Sequence, residues 1–208
     1  MNARELLGLS PVMPVLVIDD PAHAVPLARA LVAGGVRVLE VTLRTTTALA
    51  AIRAIAEQVP EAVVGAGTIL TVDDLAAARD AGAQFGISPG ATAALLRAGL
   101  IQGWPYLPGA ATASEVMTGR DAGYSTLKFF PAEAAGGTAL LKSLAGPLPD
   151  IRFCPTGGIT PESARRYLAL PNVGCVGGSW LAPPELLARG DWDGIRRLAA
   201  AAAALRDG

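Results

Sequence analysis

At 208 residues, 51% hydrophobic and 17% charged, the chain is sized for one domain with a sizeable buried core. A formal net charge of -1 and the lack of any basic stripe exclude a nucleic-acid binder's electrostatic footprint. No apolar run reaches the ~18 residues that span a bilayer, and the N-terminal MNARELLGLSP lacks a signal peptide's apolar centre, so a cytoplasmic protein without membrane contact is expected.

Residues 2–8 are expected to form a short helix. Eight β-rich apolar runs follow, over 13–18, 36–43, 62–69, 84–88, 106–109, 125–130, 151–158 and 173–179. Between them lie Ala-, Leu- and Arg-rich stretches with helical spacing, several ending in glycine, a common C-cap residue. Strands alternating with helices predict a parallel sheet. Eight such units in this length predict an α/β fold, a (β/α)8 TIM barrel forming a single domain over 1–208. A doubly wound sheet would carry a glycine-rich phosphate loop after its first strand, where this chain reads IDDPAHA. Barrel chemistry sits at the C-terminal ends of strands and in the loops beyond them, so the polar residues there are the candidates.

In the second run, VLEVTLRT, alternation puts Glu40, Thr42 and Arg44 on one face and Leu39, Val41 and Leu43 on the other. A carboxylate facing a barrel interior needs a partner or a task. It is either half of a structural ion pair with Arg44 or a general acid/base, with Arg44 orienting it or holding a substrate anion. The third run ends in GAGT, where two glycines permit close backbone approach. Its Thr68 either caps the next helix or touches substrate. Pro89-Gly90 and Pro108-Gly109 are expected turns after the fourth and fifth strands.

The sixth run, STLKFF, places Thr126, Lys128 and Phe130 on one face, so Lys128 shares the interior with Glu40. Of 17 basic residues only Lys128 and Lys142 are lysines. Burial disfavours the charged form of an amine, a neutral amine attacks carbonyls to form a Schiff base, and arginine cannot. Lys142, in TALLKSLAG, belongs to a solvated helix face, and Glu133 is expected at a helix start. The seventh and eighth runs end in Thr156-Gly157-Gly158 and Gly177-Gly178-Ser179. Loops at these two positions of a barrel often hold phosphate on backbone N–H groups. The two cysteines, Cys154 and Cys175, are expected as small buried residues. With a single histidine, His23, expected near a helix start at the surface, they leave no zinc motif.

These residues, as VLEVTLRT, GAGT, ISPG, PGAAT, KFFPAE, PTGGI and VGGSW, occur in an order that resembles the 2-keto-3-deoxy-6-phosphogluconate and 4-hydroxy-2-oxoglutarate aldolases over about residues 5–195. The resemblance implies a metal-free and cofactor-free class I lyase on a (β/α)8 barrel, a homotrimer of the Entner–Doudoroff pathway. The expected substrate is a small phosphorylated sugar acid, split to pyruvate and glyceraldehyde 3-phosphate. It implies Lys128 as Schiff-base lysine and Glu40 as proton shuttle. Arg44, Thr68 and Pro89 would hold the pyruvate end, with Phe130 packed beside the lysine. Thr156 would lie near the carbonyl end, and Gly157, Gly158, Gly178 and Ser179 would bind the phosphate. One departure is Thr46, where many members carry an acid after the RT pair, which bears on helix capping. The alternatives are a phospho-sugar isomerase or epimerase that forms no imine, and a binding module without catalysis.

Overall fold

Parallel strands, named in chain order, carry the architecture: β1 (Val12–Leu16), β2 (Val38–Thr42), β3 (Val63–Gly67), β4 (Gly86–Ile87), β5 (Tyr106–Leu107), β6 (Gly109–Ala110), β7 (Thr126–Phe129), β8 (Arg152–Pro155) and β9 (Val176–Gly178). The computed structural model describes residues 1–101 and 104–206. Neighbours run β5-β4-β3-β2-β1-β9 in one sheet and β6-β7-β8 in another. The sheets join twice. Residues 106–110 leave β4 as β5 and reach β7 as β6, and a bridge between Thr156 and Gly177 links β8 to β9. The result is a closed barrel of eight staves, with a helix after each strand position.

The fifth stave differs from expectation. Pro108-Gly109 is not a turn beyond the strand but a break within it. Proline has no N–H to give a ladder, yet its carbonyl accepts from Lys128 N at 3.0 Å. Gly109 then passes so close to residues 89–90 that a Cβ there would sit 2.6 Å from Gly90 N. A side chain would force the two loops apart, so glycine is what lets the stave cross from one neighbour to the other.

Alternation sorts the apolar side chains into two layers. Leu39, Val41, Leu127, Phe129, Phe153 and Val176 face outward and pack under the helices. Met13, Val38, Phe85, Ile87, Leu107, Cys154 and Cys175 face inward. The expected N-terminal helix is Ala3–Gly8, and its Leu6 and Leu7 join that inner cluster. They plug the lower end of the barrel. Among the described residues no helix is long and apolar enough to cross a membrane.

Helix starts show how the loops are tied. The helices Val72–Asp80, Ala113–Asp121 and Pro161–Leu168 open in capping boxes at Thr71, Thr112 and Thr160. The helix Ala48–Gln58 opens at Thr47 without a side-chain cap bond. Instead the hydroxyls of Thr45 and Thr47 both donate to Ile18 O. The threonine-rich RTTT stretch therefore fastens the loop after β2, and with it Arg44, to the loop after β1.

Candidate active site

Glu40 on β2 and Lys128 on β7 meet across the barrel interior, above the apolar plug. Lys128 Nζ donates to Glu40 Oε1 at 3.0 Å. Glu40 is 0% and Lys128 5% exposed, so the pair lies almost wholly out of water. Arg44 is not the partner of Glu40. The second carboxylate oxygen, Oε2, is buried and has no hydrogen-bond partner among the described residues. It remains available to accept a proton or a hydrogen bond from a reacting molecule. In register, Lys128 lies between Gly109 and Cys154. These small neighbours leave room beside the amine, and the ring of Phe130 lies 5.3 Å from Nζ.

The glycines of β3 seat the carboxylate. A Cβ on Gly67 would lie 2.6 Å from Glu40 Cγ and 2.7 Å from Cδ, closer than real Cβ atoms come. Gly67 is the register partner of Thr42, two positions up from the partner of Glu40. The glutamate thus leans diagonally over Gly67 toward the top of the barrel. One pleat lower, Gly65 receives the flat of the Phe85 ring, at 2.5 Å from a would-be Cβ. The GAG stretch clears two inward positions, one for the plug and one for the acid. Sequence reading noted both glycines as permitting close approach but did not identify what approaches.

A cavity of about 160 Å³ is lined by Arg44, Phe130, Thr156, Gly157, Gly158, Gly178 and Ser179 from the expected set. Lys128 and Glu40 do not line it, and Phe130 connects it to the lysine. Gly177, from the same expected glycine loop, lines it too, and Val15 and Ile159 line it without having been anticipated. Alternation along β1 could have found Val15, since it shares a face with Met13. Gly157 and Gly158 have φ of 105° and 76°, a region that favours glycine. Arg44 is the only cationic side chain lining this cavity among the described residues.

Thr68 and Pro89 do not line that cavity. They stand at the tops of β3 and β4, with Pro89 packed against Gly109, the register neighbour of Lys128. Thr68 does not cap the next helix, because Thr71 does so. Its backbone has φ 62°, the only non-glycine residue with positive φ among those described. A β-branched residue held there is strained, and such strain concentrates at functional sites.

Glu133 is not at a helix start. The following helix, Gly137–Ala145, is capped by Gly136, and Glu133 Oε1 instead accepts from Tyr167 Oη at 2.7 Å. Lys142 is exposed, as expected. His23 ends a short 3-10 turn before the helix Ala24–Ala33, makes no cap bond, and packs edge-on against Trp192. Cys154 and Cys175 are buried and carry no disulfide, with Sγ atoms 3.5 Å apart.

A buried lysine facing a carboxylate at the open end of a (β/α)8 barrel defines a class: a barrel enzyme equipped for Schiff-base chemistry on a carbonyl compound. Residues 4–198 match the family described as KDPG and KHG aldolase. A 2-dehydro-3-deoxy-phosphogluconate aldolase of Pseudoalteromonas atlantica is 55% identical over 98% of this chain and 95% of its own length. The KHG/KDPG aldolase of Escherichia coli is 57% identical over 95% and 93%. The crystal structure of KDPG aldolase from Legionella pneumophila, with pyruvate captured at low pH as a covalent carbinolamine, superposes with a TM-score of 0.96. It is 46% identical, covering 98% of both chains. The chain belongs to the KDPG and KHG aldolase family.

Proposed function

We propose that the chain is a class I aldolase that cleaves 2-keto-3-deoxy-6-phosphogluconate to pyruvate and glyceraldehyde 3-phosphate. It also cleaves 4-hydroxy-2-oxoglutarate to pyruvate and glyoxylate, and it works as a single-domain cytoplasmic homotrimer of the Entner–Doudoroff pathway. The observation that carries this reading is the buried 3.0 Å contact between Lys128 Nζ and Glu40 Oε1.

The chemistry follows from the two groups. Lys128 attacks the C2 ketone, and Glu40 relays protons as the carbinolamine loses water to give an iminium. Glu40, directly or through a water, takes the proton of the C4 hydroxyl. The C3–C4 bond breaks, its electron pair flows into the iminium, and the aldehyde leaves. The pyruvate enamine is protonated at C3, and hydrolysis of the imine frees Lys128. Arg44, Thr68 and Pro89 hold the pyruvate end, with Thr156 near the carbonyl and Phe130 packed beside the lysine. Gly157, Gly158, Gly178 and Ser179 bind the phosphate. Two features support that last assignment. Both Gly157 and Gly158 line the cavity, and their positive φ is a backbone shape that favours glycine, so no side chain stands between the loop backbone and a bound anion.

Borohydride reduction in the presence of pyruvate tests the reading. The wild-type chain is expected to gain a pyruvate adduct at Lys128, and Lys128→Arg none. An absent adduct, or one at Lys142, overturns it. Steady-state cleavage of the phosphorylated substrate, its C4 epimer and 4-hydroxy-2-oxoglutarate then sets the substrate range.

A further inference from the structure

The segment 130–136, which follows the lysine strand, lies directly on the loop after β8. Ala132 N donates to Thr156 O at 2.8 Å and Glu133 N to Gly157 O at 3.1 Å. The side chains pack as closely as the backbones. A Cβ on Gly158 would meet Glu133 Cβ at 2.9 Å and Cγ at 3.0 Å, and one on Gly157 would lie 3.3 Å from Pro131 Cα. Positive φ at both glycines gives the loop this shape, but glycine does not hold a shape by itself, since it is the most permissive residue.

What holds it is a contact from the third element. Tyr167 belongs to the helix Pro161–Leu168, which continues the chain from the same loop. Its side chain is fully buried, and its hydroxyl donates to Glu133 Oε1 at 2.7 Å. Burial first, and then the hydrogen bond and charge of Glu133, push the phenol above its ordinary range, so it stays a proton donor across the neutral range. The carboxylate is thereby fixed from the helix side, while its own backbone grips the loop.

We propose that Glu133 and Tyr167 form a positioning pair. They clamp the 156–158 loop between the turn after the lysine strand and the helix beyond, and so set the distance between the Schiff-base lysine and the anion-binding glycines. The proposal rests on the reading of Gly157 and Gly158 as phosphate ligands. Glu133 and Tyr167 need not touch substrate. They act on the phosphorylated end of the molecule through Gly157 and Gly158, which Glu133 touches, and among the described residues neither of them hydrogen-bonds Lys128.

The test compares substrates with and without phosphate on the full chain. Tyr167→Phe keeps the ring and removes the hydroxyl. Glu133→Ala removes the acceptor, and Glu133→Gln keeps a neutral one. Tyr167→Phe and Glu133→Ala are expected to raise KM for 2-keto-3-deoxy-6-phosphogluconate roughly tenfold, the scale of one hydrogen bond to a charged group. In both variants kcat and the borohydride-trapped pyruvate adduct stay near wild type. Glu133→Gln is expected to lie between wild type and Glu133→Ala. An unchanged KM overturns the clamp, and so does an equal loss of pyruvate trapping, which would mark a general structural role. Failure of the underlying reading looks different, because the wild type itself would then show no adduct or no cleavage of the phosphorylated substrate.

Discussion

The lower and upper halves of the barrel interior are built from the same strands and the same inward faces, yet they hold opposite contents. Below are Met13, Val38, Phe85, Ile87, Leu107 and two thiols, closed off by Leu6 and Leu7. Higher on their own strands are Glu40 and Lys128, with Lys128 level in register with Cys154 at the boundary, and beyond them Thr156 and the glycine loops. On β2 the change falls between Val38 and Glu40, and on β8 between Cys154 and Thr156. The difference shows a division of labour along each strand. The lower half excludes water and fixes the staves, and that exclusion gives the pair above it a medium in which a charge without a partner is costly. An ion pair so placed adds little stability, but it is expensive to break from one side only.

Removing one charge should break the comparison most strongly. Glu40→Gln leaves the amine without its carboxylate and is expected to slow cleavage by about 10²–10⁴-fold, read as a matching fall in the rate of imine formation in single-turnover trapping. Phe85→Ala attacks the other half. It should cost about 3–5 kcal/mol of unfolding free energy through the cavity it leaves, measured by denaturant titration, while the folded fraction still forms the Lys128 adduct. Gly67→Ala sits at the boundary. Its methyl displaces the Glu40 carboxylate, so kcat should fall by about tenfold or more, with a shifted pH profile and a smaller change in Tm than Phe85→Ala causes.

Thr68→Gly sharpens the contrast further. It relieves the backbone at φ 62° and should stabilise the fold by about 1 kcal/mol, seen as a raised Tm, while KM for pyruvate-forming substrates increases. The smallest effect lies outside both halves. Burial pushes the Tyr106 phenol, which donates to Ser88 Oγ, from 10.0 up to about 12. The folded chain therefore keeps a proton there that the unfolded chain releases. The associated stability is complete below pH 10 and is lost as pH rises toward 12. Tyr106→Phe should flatten the alkaline fall in stability over that window.

Much of this was legible in the sequence, because alternation is a local rule. The strand positions, the shared interior of Glu40 and Lys128, and the outward set at Leu39, Val41 and Leu127 follow from period two alone. What could not be read depends on contacts between distant segments. Nothing near Glu133 announces Tyr167, which arrives from the helix Pro161–Leu168, beyond the next strand. Pro108-Gly109 has the composition of a turn, and only the closeness of residues 89–90 makes it a strand break. Thr68 reads as either a cap or a substrate contact because hydroxyls commonly cap helices, and it is Thr71, three residues later, that has the partner Asp74 to complete the box.

The break at Pro108 also has a mechanical side. A barrel behaves as a hoop, and a hoop is as strong as its seams. This one has two seams, the crossing at Pro108 and the isolated bridges Phe153–Val173 and Thr156–Gly177, and between them lies the three-strand panel β6-β7-β8. That panel carries Lys128 and leads into the loop 156–158, whereas Glu40 belongs to the longer six-strand panel. Closing the ring is therefore the act that assembles the site: each panel brings one member of the pair, and neither holds it alone.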